Sequence, residues 1–128
     1  MNIRTLQKLV DTSFDLIHLP ETINKHLSYL LLRSTVISIG WSQLKTHPVA
    51  LKHNFKWGCL HSELDCLRKS PILFSSLNRC TLVNIRVNSL GEVCNSRPCK
   101  LCVPLVESAQ LKAVYFTNSD GSFSKLGT

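Results

Sequence analysis

At 128 residues the chain has room for one hydrophobic core and not for two. Its 44% hydrophobic and 18% charged content is that of an ordinary globular domain, and no apolar run approaches the roughly 20 residues of a membrane span. The net charge of +7 favours phosphate-bearing partners over cationic ones.

The opening Met1-Asn2-Ile3-Arg4-Thr5-Leu6-Gln7-Lys8 lacks the continuous apolar stretch of a secretory signal, so the expectation is a single cytoplasmic domain over 1–128, away from membranes. Cys59, Cys66, Cys80, Cys94, Cys99 and Cys102 are then expected to stay reduced.

Ile3, Leu6, Leu9, Val10, Phe14 and Ile17 recur at nearly helical spacing and predict an amphipathic helix over about 3–17, interrupted at Pro20. Residues 27–33 and 36–41 follow around Ser34-Thr35. The leucine run fits helix or strand by itself, but Val36-Ile37-Ser38-Ile39 beside it favours a strand hairpin. Residues 42–59 read as a long connection containing Pro48 and Gly58, and connections of that length usually serve function. Its stretch to Leu60 lacks acids and holds Lys45, His47, Lys52, His53 and Lys56. That composition suits a phosphate-binding loop or a plain solvated surface.

A short helix is expected over 61–69, stopped by Ser70-Pro71. Residues 82–87 alternate as a strand and Asn88-Ser89-Leu90-Gly91 makes a turn. Pro98 suits a first helical position, which predicts a helix from Cys99 to about Gln110, kinked at Pro104. Residues 114–117 form another strand, and Asn118-Ser119-Asp120-Gly121 turns into a last one near Phe123. Helix–strand alternation after the hairpin predicts a layered α/β domain with parallel central strands and right-handed crossovers.

The chemistry concentrates in two motifs, His61-Ser62-Glu63 and Pro98-Cys99-Lys100-Leu101-Cys102. Cys99 and Cys102, three apart, can aim both thiols to one side of a helical turn. The helix N-terminus there is expected to favour the thiolate. Two thiolates and one imidazole give three zinc ligands and leave a fourth position for water, the open geometry of a catalytic ion. Zinc lowers the pKa of such a water to about 7. Glu63, two residues beyond the imidazole, is then placed to shuttle the proton. Two plainer readings are a structural zinc site closed by Glu63 or Cys94, and a thioredoxin-like redox pair. The second leaves His61 and Glu63 unexplained.

The pairing H-x-E with P-C-x-x-C is the mark of the zinc nucleobase deaminases. From about residue 27 to 126 the chain resembles the cytidine and deoxycytidylate deaminase superfamily, in particular small phage and bacterial deoxycytidylate-deaminase-like proteins. The resemblance rests on both motifs, on a glycine-aromatic turn at Gly40-Trp41 and on Lys45-Thr46-His47-Pro48. It implies a three-layer α/β/α fold around a five-stranded mixed sheet. It also implies one zinc ion held by His61, Cys99 and Cys102, with Glu63 as the catalytic proton shuttle. Ser42, Lys45, His47, Ser62, Pro98 and Asn118 are the expected substrate contacts; Ser42 stands where many relatives carry a sugar-binding asparagine.

The expected reaction is hydrolytic deamination of a cytosine-type nucleotide or nucleoside, dCMP to dUMP foremost, by a homo-oligomer. The alternatives are a cytosine or adenine deaminase acting on single-stranded DNA or RNA, and a non-enzymatic zinc-binding protein. Trp41 and Trp57 flank the basic loop and suit either base stacking or packing.

Overall fold

The computed structural model describes residues 1–45, 47–53, 55 and 59–127. Thr46 in the Lys-Thr-His-Pro segment, Lys56 of the basic stretch, Trp57 and Gly58 lie outside the described residues. Helix α1 (Ile3–Asp15) is followed by β1 (Lys25–Leu32), β2 (Thr35–Trp41), α2 (Pro48–Lys52) and α3 (Ser62–Arg68). A 3-10 helix (Phe74–Arg79) leads into β3 (Cys80–Val87). The short β4 (Val93–Cys94), α4 (Cys102–Ser108), β5 (Ala113–Thr117) and β6 (Phe123–Lys125) complete the chain.

One mixed sheet runs in the order β2-β1-β3-β5-β6, and β4 pairs with the end of β3 through Arg86–Cys94 and Val87–Val93. Only β3 and β5 are parallel; the other pairings are antiparallel. The expectation of parallel central strands therefore holds for the pair β3–β5 and not for the other neighbours. The reason is connection length. Two-residue and five-residue links join β1 to β2 and β5 to β6, which permits only antiparallel pairing. The segment containing α4, between β3 and β5, is long enough for a crossover.

Alternation along the strands sorts the core. Leu27, Tyr29, Leu31, Val83, Ile85 and Val87 pack with Leu6, Leu9 and Val10 of α1. Leu30 and Leu82 belong to a second cluster with Leu64 and Leu67 of α3 and Leu105 and Val106 of α4. Full burial of each such side chain contributes about 1.5–3 kcal/mol. Ile3, counted in the α1 stripe from periodicity, is exposed instead, because it sits in the first turn beyond the edge of the sheet contact. Ser13 joins α1 to the sheet: its hydroxyl reaches the Leu9 carbonyl and the Tyr29 hydroxyl, both at 2.8 Å.

Three other local expectations change. The long connection contains α2, because Pro48 opens a helix where a missing N–H costs nothing, and His47 Nδ1 caps it by accepting from Val49 N at 3.1 Å. Helix α4 begins at Cys102, not at Cys99. Pro104 therefore falls in its first turn, where the amide would be unpaired anyway, and the predicted interior kink has no cause. Gly40-Trp41 is strand and not turn, and Gly40 matters for closeness. A Cβ there would stand 2.2 Å from Cys66 N and 2.3 Å from the Ser62 carbonyl, so α3 rests directly on the β2 backbone.

Candidate metal centre and pocket

Helix α3 starts at the sheet surface, with His61 as its N-cap and Ser62 and Glu63 in its first turn. Asp65, fully buried, holds that helix in place. Its carboxylate accepts from Trp41 N at 3.1 Å and pairs with Lys69 at 2.7 Å. The Lys69 ammonium also sits 3.5 Å over the Trp41 ring, so this tryptophan is engaged in packing. Phe55 meets the His61 imidazole edge-on, with centroids 4.6 Å apart, and fixes the ring from the other side.

The cysteines arrive on a separate segment. Residues 95–99 are irregular and are laced to the sheet by Ser96. Its N–H donates to the Thr117 carbonyl at 2.9 Å and its hydroxyl to the Asn84 carbonyl at 2.7 Å. The chain then turns, with Cys102 and Val103 N–H groups both on the Cys99 carbonyl, and enters α4. This brings both thiols to one imidazole nitrogen: His61 Nδ1 lies 3.5 Å from Cys99 Sγ and 3.4 Å from Cys102 Sγ.

All three donor atoms fall within 4.8 Å of one another, and among the described residues no fourth histidine, cysteine or acid joins them. The group could hold a metal ion. One imidazole nitrogen has one lone pair or one hydrogen, so it cannot hydrogen-bond well to two sulfurs at once. A shared cation satisfies both. Ligand bonds of about 2.3 Å to sulfur and 2.0–2.1 Å to nitrogen, set at a tetrahedral angle, would separate S and N by about 3.6 Å, close to both observed distances.

Electrostatics point the same way, with one correction. The Cys102 thiol is pushed up, first by burial, then by Glu63 and Cys99. Desolvation outweighs the helix N-terminus that was expected to favour the thiolate, so the thiolate there needs a cation beside it. His61 is held below its usual range by burial, against the opposing pull of Glu63, which leaves the imidazole in the neutral, ligating form.

Glu63 belongs to a buried polar ring. Asn84 on β3 donates its amide to Glu63 Oε2 at 3.0 Å, and Ser62 donates to Oε1 at 3.1 Å. The Ser28 hydroxyl reaches Asn84 Oδ1 at 2.7 Å and Ser62 Oγ at 2.8 Å. Two hydroxyl hydrogens therefore serve three contacts, and a proton on Glu63 would supply the third.

A pocket of about 240 Å³ opens on these residues, lined among others by Thr22, Asn24, His26, Ser42, His61, Glu63 and Arg97. That is slightly below the usual size of small-molecule sites. Burial lowers the His26 pKa, the nearby Arg86 and His61 add to this, and Glu63 opposes it. His26, Asn84, Ser28 and Arg97 were not singled out from sequence. Asn84 did carry a signal, as a polar residue set among the apolar Leu82, Val83 and Ile85 of a buried strand.

The expected substrate contacts divide. Ser62 and Ser42 line the pocket, but Ser42 is partly spent: its hydroxyl contacts the Thr22 hydroxyl at 2.6 Å and the Asn24 carbonyl at 3.2 Å. Lys45 is exposed, His47 caps α2, and Pro98 is buried ahead of Cys99; none of the three lines the pocket. Asn118 closes the β5–β6 turn by donating to the Ser122 and Ser124 hydroxyls. Cys94 pairs in the sheet opposite Arg86 and is not part of the donor group. None of the six cysteines is joined in a disulfide. Among the described residues, no helix is long and apolar enough to cross a membrane.

No family model, curated protein or solved structure matches this chain.

Proposed function

We propose that this protein is a zinc-dependent hydrolase of the cytidine/deoxycytidylate deaminase type, with a three-layer α/β/α domain, that removes the amine from a cytosine-type base. One observation carries the reading. Two cysteine sulfurs converge at 3.4–3.5 Å on the Nδ1 of His61, in a pocket that a carboxylate two residues away also lines. A structural zinc would have a fourth protein ligand; among the described residues no fourth histidine, cysteine or acid lies within 4.8 Å of all three donors. A redox pair would not need the imidazole.

His61, Cys99 and Cys102 would hold the zinc, which when bound supplies a hydroxide nucleophile at neutral pH. The remaining work falls to the chain itself. Glu63 takes one proton of the attacking water and gives it to the ring nitrogen, then takes the water's second proton and gives it to the departing amine. Taking it completes the ring with Ser62, Ser28 and Asn84, and handing it on costs that ring one contact. His26, kept neutral by burial, offers one donor and one acceptor to the base edge.

The test is ammonia release from dCMP, CMP, cytidine, deoxycytidine and a cytosine-containing single-stranded oligonucleotide by zinc-loaded protein. Glu63→Gln should lose activity by a factor of at least about 100 while binding zinc as before. No turnover of any of the five would refute the reading. A non-enzymatic zinc protein would be indicated instead if Glu63→Gln left every measurable property unchanged.

A further inference from the structure

Arg97 lines two hollows at once: the pocket over the metal centre, and a groove of about 300 Å³ along α4 and the end of β6. That groove contains Lys112, which also lines a larger cleft of about 950 Å³ under the β1–β2 hairpin, with Arg33 and Arg79. Consecutive hollows thus share a cationic residue, and the four cations mark one path from the candidate site to the far end of the sheet.

Charge along this path is one-sided. Among the described residues the ion pairs are those of Asp65 with Arg68 and Lys69, so none of the four cations has a carboxylate partner. Glu107 is the single acid among the residues lining the two outer grooves. Arg33, Arg79, Arg97 and Lys112 are all exposed. One of them is held by a ring, and another sits on an unusual backbone. The Arg97 guanidinium lies 5.5 Å over the Phe116 ring. Arg33 occupies a left-handed turn position at φ 60°, where glycine or asparagine is the unstrained choice and an arginine is held at a cost of about 1 kcal/mol or more.

We infer that the base entering the pocket is carried on a single-stranded polynucleotide whose phosphates lie along Arg97, Lys112, Arg79 and Arg33. This rests on the deaminase reading for the pocket but not for the groove. A free mononucleotide has one phosphate group and would reach Arg97 at most; it gives no use to three further unpaired cations in line. A duplex keeps its bases stacked, out of reach of a recessed pocket. A line of cations beside a base-sized hollow is the arrangement that tracks a flexible sugar-phosphate chain.

The experiment measures binding without turnover, on the whole 128-residue chain, zinc-loaded and carrying Glu63→Gln. The probes are a fluorescent single-stranded DNA, the matching RNA, and the DNA duplex, at several salt concentrations, with dCMP as competitor. Each phosphate contact in a single strand adds about 0.7 to the slope of log affinity against log salt. The triple variant Arg33→Gln, Arg79→Gln, Lys112→Gln should therefore lose about 2 units of slope for whichever single strand binds more tightly.

A control triple, Arg4→Gln, Lys8→Gln and Lys45→Gln, removes the same charge elsewhere and should change the slope by much less. Equal losses in the two triples, equal affinity for duplex, or complete displacement by millimolar dCMP would overturn the inference. Both triples alter exposed side chains and should unfold at the parent temperature. A protein that binds the strand this way yet converts no base would retain the groove and sink the deaminase reading. One that deaminates dCMP but binds no strand would do the reverse.

Discussion

Replacing Gly40 by alanine tests how tightly the candidate site depends on one close approach. The new methyl would lie 2.2 Å from Cys66 N and 2.3 Å from the Ser62 carbonyl, whereas ordinary contact begins near 3.4 Å. Both obstructing atoms are backbone of α3, so no side chain can swing away. The helix must back off the sheet by about 1 Å, or the strand must bend by as much. Overpacking of this kind costs about 1–3 kcal/mol, and the backbone identity of the neighbours puts this case at the upper end. For a domain of this size the midpoint of thermal unfolding should fall by about 5–15 °C.

The same shift moves Ser62 and Glu63, which follow the N-cap His61 on that helix. The 2.8 Å Ser28–Ser62 and 3.0 Å Asn84–Glu63 contacts would stretch beyond hydrogen-bond range, and His61 would retreat from both sulfurs. Zinc affinity, read by competition with a chromophoric chelator, should weaken about 10–100-fold. Circular dichroism and the chelator assay together decide the matter. An alanine variant with unchanged unfolding midpoint and unchanged zinc affinity would show that α3 does not rest on Gly40, and the placement of Glu63 would then need another explanation.

Cys102→Ser keeps the shape but removes a sulfur ligand, and it should abolish tight zinc binding while leaving the apo-protein's helical content intact; zinc retention in a dialysed sample would refute the donor set. Asn84→Leu is nearly isosteric and leaves Ser28 and Glu63 without their partner in a buried setting, so stability to urea should drop by about 1–3 kcal/mol. Turnover in that variant should fall further than zinc affinity does, since Asn84 holds Glu63 and not the metal ligands. Burial pushes the Tyr29 phenol up to about 12 from 10.0, and the Cys66 thiol up to about 12 from 9.0. A folded-state pKa above the unfolded one means that the folded form keeps its proton. The associated stability is complete below pH 9 and is lost as pH rises from about 9 to 12. Denaturation midpoints taken between pH 8 and 11.5 should stay level to about pH 9 and fall above it, with Tyr29 alone accounting for about 2 kcal/mol by pH 11.5. A flat profile would show that Tyr29 is not sealed under α1.

Periodicity was informative wherever a single element had one apolar side. The α1 stripe of Leu6, Leu9 and Val10, the β1–β2 hairpin and the alternation across β3 all follow from spacing, because burial imposes a 3.6- or 2-residue repeat on the chain itself. Prolines misled in both directions. The local pattern makes Pro48 a loop residue and Pro104 a kink, yet both occupy a helix's first turn, and only the start of the helix makes that visible. The pairing direction of the strands likewise depended on loop lengths taken together, not on any strand's own residues.

For the candidate site, the possible donor types and their spacing were written in His61-Ser62-Glu63 and Cys99 to Cys102, since coordination chemistry restricts which side chains can serve. What surrounds them was not. Asn84, Ser28, His26 and Arg97 lie on strands and loops far apart in sequence, and nothing local marks a polar residue as part of a shared ring. The sequence by itself determined which atoms can bind a metal and that the chain forms an α/β sheet domain. Only the tertiary structure decided that three donors meet within 4.8 Å, that burial raises the Cys102 thiol, and that four cations form one path. The physical reason is that donor chemistry belongs to single residues, whereas desolvation, convergence and charge alignment belong to the space between segments that the fold brings together.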